Sequence, residues 1–278
     1  MRLIGQRLTD SWSQQIVLDN RGGAGAVIGT QLVASATPDG YTLLVTNTAH
    51  AINPALNRKL PYDSINDFIP ISLLATQSNA VVVSPQLGVS GTEALIALAK
   101  AKPRSINFAS VGIGSSAHLA GELFASMAHV EILHVPYKGT GAAVTDLIGG
   151  QVQLMFPPLL AIWPYVQAGR VKLLAVTAKQ RSALAPGLPT VAEAGLPGYE
   201  ATAWYMLFAP ARTPSAVTAK LNAEIDRILR ESGTRERLLR GGAEPGGGTQ
   251  QDAQRFLTSE GERWTKVIRQ SNAWVEQK

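Results

Sequence analysis

The first two thirds of the chain alternate short apolar runs with stretches of helical periodicity. The runs are IVLD (16–19), YTLLVT (41–46), AVVVS (80–84), INFAS (106–110), ILHVPY (132–137), VQLMF (152–156) and VKLLAVT (171–177). Their Val, Ile and Leu content predicts buried parallel strands. The intervening stretches 24–36, 91–101, 115–128 and 139–148 predict helices. Strands that alternate with helices indicate the α/β class.

The last third changes to amphipathic helices. Val217, Leu221, Ile225 and Leu229 recur on one helical face. The glycine-rich stretch 241–248 predicts a flexible connection, and a further helical pattern follows it to the end of the chain.

Two longer strand-like segments, FIPISLLAT (68–76) and ATAWYMLFAPA (201–211), bracket the middle of the chain. We interpret them as crossing points between two domains. The predicted first domain is discontinuous, with residues 1–80 and 207–278, and the second domain, residues 81–206, is inserted into it. A ligand cleft between the two domains is then expected.

Composition limits the function classes. The 278 residues, 45% of them hydrophobic, suffice for a well-buried core. The absence of cysteine excludes disulfides, thiol nucleophiles and cysteine-rich zinc sites. The net charge of +5 suits an anionic partner, but the basic residues form no run, so nucleic acid is not expected. The four histidines lack metal-ligand spacing, so no metal site is predicted.

The segment NRGGAGA (20–26) follows a predicted strand and opens a predicted helix. Its backbone N–H groups could hold an anion at the helix N-terminus. Gly23, Gly25 and Gly29 also approximate a dinucleotide-binding loop, but the acidic residue expected some twenty positions further on is missing. An anion loop, a nucleotide loop and a purely structural turn remain open.

The segment SVGIGSSAH (110–118) repeats this arrangement after the strand INFAS. Ser115 or Ser116 could be a simple N-cap, or could bind a carboxylate with its hydroxyl and the adjoining N–H groups. No G-x-S-x-G motif occurs, and His118 lies too close along the same helix to act as a base for either serine. No catalytic residue is predicted.

A third segment, HVPYKG (134–139), again ends a strand where a helix begins. Lys138 could neutralise a carboxylate there, or could be an ordinary solvated lysine. Gly, Ser, Thr and Asn at several strand ends, without a catalytic base, favour binding of a small polar ligand over its conversion.

Several motifs in this order resemble the Bug-type solute-binding receptors of tripartite tricarboxylate transporters. They are DNRGGAGAVIGTQLVASATPDGYTLL, INPAL, LPYDSINDF, SVGIGSSAHLAGELF, HVPYKGTGAAVTDLIGGQV, LAVTAKQR, LPTVAEAGLPGYE, APARTP and KLNAEI. The resemblance implies a type II periplasmic-binding-protein fold, in which two α/β domains joined by two crossing strands close over a small carboxylate. It also implies a monomeric periplasmic receptor with membrane transporter partners and no cofactor.

The resemblance, together with the segments above, assigns ligand binding to sixteen residues. They are Gly23, Ala24, Gly25, Ala26, Thr46, Asn47, Ser110, Gly112, Gly114, Ser115, Ser116, Tyr137, Lys138, Gly139, Thr140 and Phe156.

The chain departs from the family pattern in three places. It begins within the expected first helix, so a signal peptide, a first strand and one ligand loop are expected to be absent. Gly22 and Ala26 replace the usual Pro and Gly of the first loop, and Pro157 with Pro158 stands where an Asp is common. The alternatives are therefore a nucleotide-dependent enzyme that uses Gly23–Gly29, and a truncated, ligand-incompetent or sensory homologue.

Overall fold

The computed structural model describes residues 1–21, 23–56, 59–112 and 114–271. The chain forms two compact units. Unit 1 contains Met1–Thr76 and the chain from Trp204 onward, and unit 2 contains Gln77–Ala203. Both boundaries fall within long strands, which confirms that two crossing strands join two α/β units.

Nineteen helices and strands follow one another along the described chain. They are α1 (Arg2–Trp12), α2 (Val27–Ala34), β1 (Leu44–Asn47), α3 (Ala49–Leu56), β2 (Phe68–Ser78), β3 (Ala80–Val83), α4 (Thr92–Ala101), β4 (Asn107–Ser110), α5 (Ser116–Ala128), β5 (Leu133–Pro136), α6 (Thr140–Ile148), β6 (Leu154–Met155), α7 (Leu159–Gln167), β7 (Lys172–Val176), β8 (Thr202–Pro210), α8 (Ser215–Arg230), α9 (Ser232–Arg240), β9 (Glu244–Gly247) and α10 (Gln250–Ser271). Short 3-10 turns occupy Ala24–Ala26 and Pro85–Leu87.

Unit 1 is built on a four-stranded sheet in the order β1-β8-β2-β9. Helices α1 and α8 cover it, and their apolar faces bury Leu8, Leu221 and Ile225 against Ile71 and Leu207 of the sheet. The apolar residues that recur every fourth position on α8 thus mark its buried face, as the sequence predicted.

Helix α10 is attached to unit 1 by a buried carboxylate. Glu260, which is 1% exposed, accepts hydrogen bonds from the indole N–H groups of Trp204 (2.7 Å) and Trp264 (3.0 Å). Arg263 lies 3.0 Å from the other carboxylate oxygen. A buried charge is tolerated because it has these partners.

Unit 2 is built on a five-stranded sheet in the order β5-β4-β6-β3-β7. Strand β4 runs parallel to β5 and β6, whereas β3 runs antiparallel to β6 and β7. The side chains of Val81, Val82 and Val83 on β3, which lies between β6 and β7, are completely buried.

The prediction that all the apolar runs form buried parallel strands is wrong for three of them. The run at 41–46 forms β1, which pairs antiparallel with β8. Strand β3 lies antiparallel to both of its neighbours, β6 and β7. It follows β2 directly, without a crossover helix that would make it part of a βαβ unit. Residues 16–19 form no strand, and Val17 is 78% exposed. Val and Ile favour a strand only beside a partner, and no strand in the described ranges pairs with this segment.

The glycine-rich stretch 241–248 is also more ordered than the sequence predicted. Strand β9 within it pairs antiparallel with β2. Gly246 lies so close to the backbone of Leu73 that a Cβ atom would clash. Asn222 on α8 donates to the carbonyl oxygen of Gly248 at 3.0 Å, and Asp226 accepts from its N–H at 2.8 Å. These contacts hold the stretch as a sheet edge.

The turn before α2 has an unusual backbone. Gly23, Gly25 and Ala26 all have positive φ angles, of 122°, 63° and 72°. The turn is closed by Ala26 N–H, which donates to the carbonyl oxygen of Gly23 at 3.0 Å. A left-handed conformation costs an alanine about 1–2 kcal/mol, whereas glycine adopts it freely.

We therefore expect Ala26→Gly to raise the free energy of unfolding by up to about 1 kcal/mol, because relief of strain exceeds the added entropy of the unfolded chain. Urea denaturation measures this change. The matched control, Ala219→Gly on the exposed face of α8, should lower it by about 1 kcal/mol. Equal destabilisation by both substitutions would contradict the left-handed conformation at Ala26.

A buried histidine makes the stability of unit 1 depend on pH. His50 is 1% exposed, and its ring contacts Phe68 and Phe208. Burial lowers its pKa from the usual 6.5 to about 4, although its Nε2 atom lies 2.9 Å from the carbonyl oxygen of Ser64. The unfolded chain therefore binds more protons than the fold between these pH values.

Stability from this group is complete above pH 6.5 and falls as the pH drops toward 4. We expect His50 alone to reduce the free energy of unfolding by about 2 kcal/mol between pH 7 and pH 5. Urea denaturation at both pH values tests this. The free energy of unfolding of His50→Gln should lack that part of the pH dependence. If it fell between pH 7 and pH 5 as much as in the native chain, the assignment to His50 would be wrong.

Candidate functional site

The pairing of β4 with β5 brings two predicted segments of unit 2 together. The strands are parallel, with Ser110 opposite Pro136, so both end at the same edge of the sheet. Tyr137 N–H continues the pairing by donating to the carbonyl oxygen of Ser110 at 2.8 Å. Helices α5 and α6 begin shortly beyond these ends. Two helix N-termini therefore lie at one sheet edge, where ligands of open α/β sheets bind.

The β4–α5 loop, of which Val111, Gly112, Gly114 and Ser115 are described, is folded back on itself. Gly112 and Gly114 have φ angles of 118° and 79°, which favour glycine. The hydroxyl of Ser115 donates to the carbonyl oxygen of Gly112 (2.7 Å) and accepts from the N–H of His118 (3.2 Å). Ser115 is thus the N-cap of α5, whereas Ser116 is its first residue.

Helix α6 begins without a side-chain cap. Its N-cap is Gly139, whose extended backbone leads into Thr140, and no side chain in the described ranges accepts from its first N–H groups. Lys138 precedes this N-terminus and is exposed. Open N–H groups, the helix dipole and an ammonium group together favour an anion.

Tyr137 has a partner within unit 2. Its hydroxyl donates to the carboxylate of Asp146 on α6 at 2.7 Å. Burial and, secondly, this carboxylate raise the pKa of Tyr137 to about 12. The phenol therefore remains protonated and fixes the connection between β5 and α6.

Two histidines support this edge of the sheet, which the sequence analysis did not predict. His134 Nε2 lies 2.6 Å from the hydroxyl oxygen of Ser110, and its ring centroid is 4.2 Å from that of His118. From the sequence, metal ligation and base catalysis were the only roles weighed for these histidines. The signal that could have found them is the adjacency of β4 and β5, which puts residues 24 positions apart side by side.

Unit 1 carries the other predicted loop. The carbonyl oxygen of Gly25 accepts from the amide of Asn53 on α3 at 2.9 Å, and Thr30 donates to the carbonyl oxygen of Ala26 at 2.8 Å. Helix α2 has no side-chain cap in the described structure. Asn53 was not predicted, although INPAL was among the motifs that indicated the family.

The end of β1 contacts both α2 and α3. Thr46 there is 5% exposed, and its hydroxyl oxygen has no hydrogen-bond partner among the described residues. Asn47 is exposed, and its side-chain oxygen accepts from the N–H of Ala49 at 3.0 Å. The structure thus brings Thr46, Asn47 and the Gly23–Ala26 turn into one part of unit 1, since α3 also contacts that turn.

Phe156 and Pro157, which the sequence also singled out, have structural roles instead. Phe156 is completely buried and packs against Phe108 and Phe124 in the core of unit 2. The carbonyl oxygen of Pro157 accepts from Ala80 N–H at 2.8 Å, so this segment extends the pairing of β6 with β3. Gly22, also part of the predicted loop, lies outside the described residues.

No group of three or more described His, Asp or Glu side chains is arranged to hold a metal ion. No described helix has the length and hydropathy to cross a membrane. A cavity of about 620 Å³ lies in unit 1 between α3 and α10, and none of the predicted ligand residues lines it.

Comparison with known proteins gives consistent results. Residues 1–273 match the family described as the tripartite tricarboxylate transporter family receptor, TctC. The chain is 35% identical to protein BugT of Bordetella pertussis over 274 residues. This alignment covers 98% of the chain and 84% of BugT.

Two solved structures with bound ligands are similar. Rpa4515 of R. palustris with adipate has a TM-score of 0.83 and 38% identity, covering 98% of this chain and 91% of that one. MatC (Rpa3494) of Rhodopseudomonas palustris with bound malate has a TM-score of 0.78 and 32% identity, covering 96% and 92%. The predicted type II periplasmic-binding-protein fold is thereby confirmed. From its sequence and its fold alike, the chain belongs to the receptor family of the tripartite tricarboxylate transporters.

Proposed function

We propose that the chain is a monomeric, non-enzymatic receptor that captures a small dicarboxylate in the periplasm and delivers it to the membrane subunits of a tripartite tricarboxylate transporter. Receptors of this family bind small carboxylates and work with such transporters. The adipate and malate in the two similar structures support a dicarboxylate as the ligand class.

One observation carries the proposal. The N-termini of α5 and α6 follow the ends of two adjacent parallel strands. Ser116 and Thr140 begin these helices, and Lys138 precedes α6. Each helix N-terminus favours a negative charge by about 0.3–1 kcal/mol, and N–H groups that lack a cap also gain a partner. A carboxylate satisfies both requirements.

In unit 2 we assign carboxylate contacts to the N–H and hydroxyl groups of Ser116 and Thr140, with Lys138 as the neutralising cation. Ser110 and Tyr137 act indirectly, because their side chains already bind His134 and Asp146. Phe156 has no exposed surface, so we assign it to packing instead of ligand contact.

In unit 1 we assign polar contacts to the Gly23–Ala26 turn, Thr46 and Asn47. The positive φ angles of this turn redirect successive peptide groups, as in other anion-binding loops. The buried hydroxyl of Thr46 lacks a partner among the described residues, and an unsatisfied buried group costs about 1–3 kcal/mol. A ligand oxygen or a water molecule would satisfy it.

The arrangement of Ser110 and His134 supports binding without chemistry. A serine hydroxyl 2.6 Å from an imidazole is also found in hydrolases. Ser110 is, however, completely buried, and its hydroxyl also lies 3.1 Å from both the N–H and the carbonyl oxygen of Gly112. It is therefore held as a structural group and is not presented to a substrate.

We expect adipate, malate or a closely related dicarboxylate to raise the thermal stability of the full chain. A ligand at about one hundred times its Kd stabilises a fold by about 2.7 kcal/mol. Thermal denaturation with these acids, glutamate, nicotinate, NAD and ATP tests the proposal. A response to NAD or ATP, without any response to the acids, would replace it with the nucleotide-dependent alternative.

Lys138→Met should weaken dicarboxylate affinity about fivefold, because an exposed ion pair contributes roughly 1 kcal/mol. Calorimetric titration at low and high salt measures this, and the variant should show the weaker salt dependence. Lys179→Met, which removes another exposed lysine of unit 2, is the matched control and should bind normally. Equal affinities of the two variants would remove Lys138 from the site.

A further inference from the structure

We propose that His118 is a positioning residue that holds the β4–α5 loop only as a neutral imidazole, so that its protonation releases the loop and weakens ligand binding. This role rests on the proposed function, because the loop leads directly into Ser116, a proposed carboxylate contact.

The hydrogen bonds fix the form of the ring. The N–H of Gly114 donates to Nδ1 of His118 at 3.2 Å. An imidazole nitrogen accepts such a bond only when it carries no proton. In the neutral ring the hydrogen is therefore on Nε2, which lies 3.5 Å from Oε1 of Glu122.

Protonation reverses the role of Nδ1. The cation carries a hydrogen on both ring nitrogens, so Nδ1 then faces the N–H of Gly114 with a second donor. This contact changes from attractive to repulsive, and the ring is 3% exposed, so little water can replace the lost acceptor. Glu122 can accept from Nε2 in either form, so it does not oppose the new charge.

Movement of Gly114 would reach the proposed ligand contact Ser116 through Ser115. Gly114 precedes Ser115, whose hydroxyl caps α5 and also holds the carbonyl oxygen of Gly112. The loop is thus fixed at one end by His118 and, through Ser110, at the other end by His134.

The groups around His118 limit which residues can produce the effect. Two described titratable groups contact the His118 ring, Glu122 on its own helix and His134 on β5. Strand β4 contributes the ring of Phe108 and the hydroxyl of Ser110 to this cluster. Burial, and secondly the charge of His118, lower the pKa of His134 to about 4, so His134 stays neutral above that pH.

Two substitutions distinguish the effect of losing the Nδ1 acceptor from the effect of a positive charge on the ring. His118→Asn places an amide oxygen near the position of Nδ1 but does not titrate, whereas His118→Leu removes the acceptor. The matched control is His129→Asn at the exposed C-cap of the same helix, where the left-handed backbone (φ 53°) suits Asn.

The first measurement needs no ligand. In the full ¹⁵N-labelled chain, nuclear magnetic resonance follows the amide of Gly114 and the ring nitrogens of His118 between pH 8 and pH 5.5. We expect the Gly114 amide to titrate with the same midpoint as His118, and to become independent of pH in His118→Asn. A Gly114 amide that shifts independently of the His118 ring, or a ring that keeps one form from pH 8 to pH 5.5, would overturn the inference.

The second measurement is calorimetric titration with adipate over the same pH range. We expect affinity to fall on acidification in the native chain and in His129→Asn, by at most about tenfold per pH unit because one proton is bound. His118→Asn should bind at pH 8 within about threefold of the native chain and keep that affinity on acidification. His118→Leu should bind weakly throughout.

The outcomes distinguish this inference from the proposed function. Adipate binding that depends equally on pH in the native chain and in His118→Asn would refute the role of His118 and leave the receptor function intact. If neither adipate nor malate binds at pH 8, the proposed function fails, and the inferred link to ligand binding fails with it even when Gly114 titrates with His118.

Discussion

The parallel pairing of β4 and β5 is the constraint on which the candidate site in unit 2 depends. Parallel strands end at the same edge of a sheet, and each is followed here by a helix. Pairing of Ser110 with Pro136 therefore brings two loops and two helix N-termini together. Without this register, the hydroxyl groups, the lysine and the supporting histidines would lie on unrelated parts of the chain.

The groups gathered in this way offer mainly backbone donors to the proposed ligand. Positive φ angles at Gly23, Gly25 and Ala26 in unit 1, and at Gly112 and Gly114 in unit 2, orient peptide N–H groups that regular helices and strands would use internally. Preorganised N–H donors bind an anion without a large change in side-chain entropy. Such donors need no proton transfer, which suits the proposed binding of a ligand without its conversion.

The side chains beneath the loops matter because they fix the positions of these donors. Asn53 holds the turn in unit 1 through the carbonyl oxygen of Gly25, and His118 holds the loop in unit 2 through the N–H of Gly114. An amide has a fixed charge, whereas an imidazole does not. The two units thus support similar loops with chemically different anchors, an amide in unit 1 and an imidazole in unit 2.

The sequence alone determined the α/β class, the crossing strands and the family, because hydrophobic periodicity and ordered motifs are local properties. It also identified three loops that precede helices. The tertiary structure alone decided that residues 16–19 form no strand, that β3 lies antiparallel and that residues 244–247 form a sheet edge. It alone decided that Phe156 is buried and that His118, His134 and Asn53 support the loops. These features depend on partners distant in sequence, since strand pairing and buried hydrogen bonds arise only when the chain has folded.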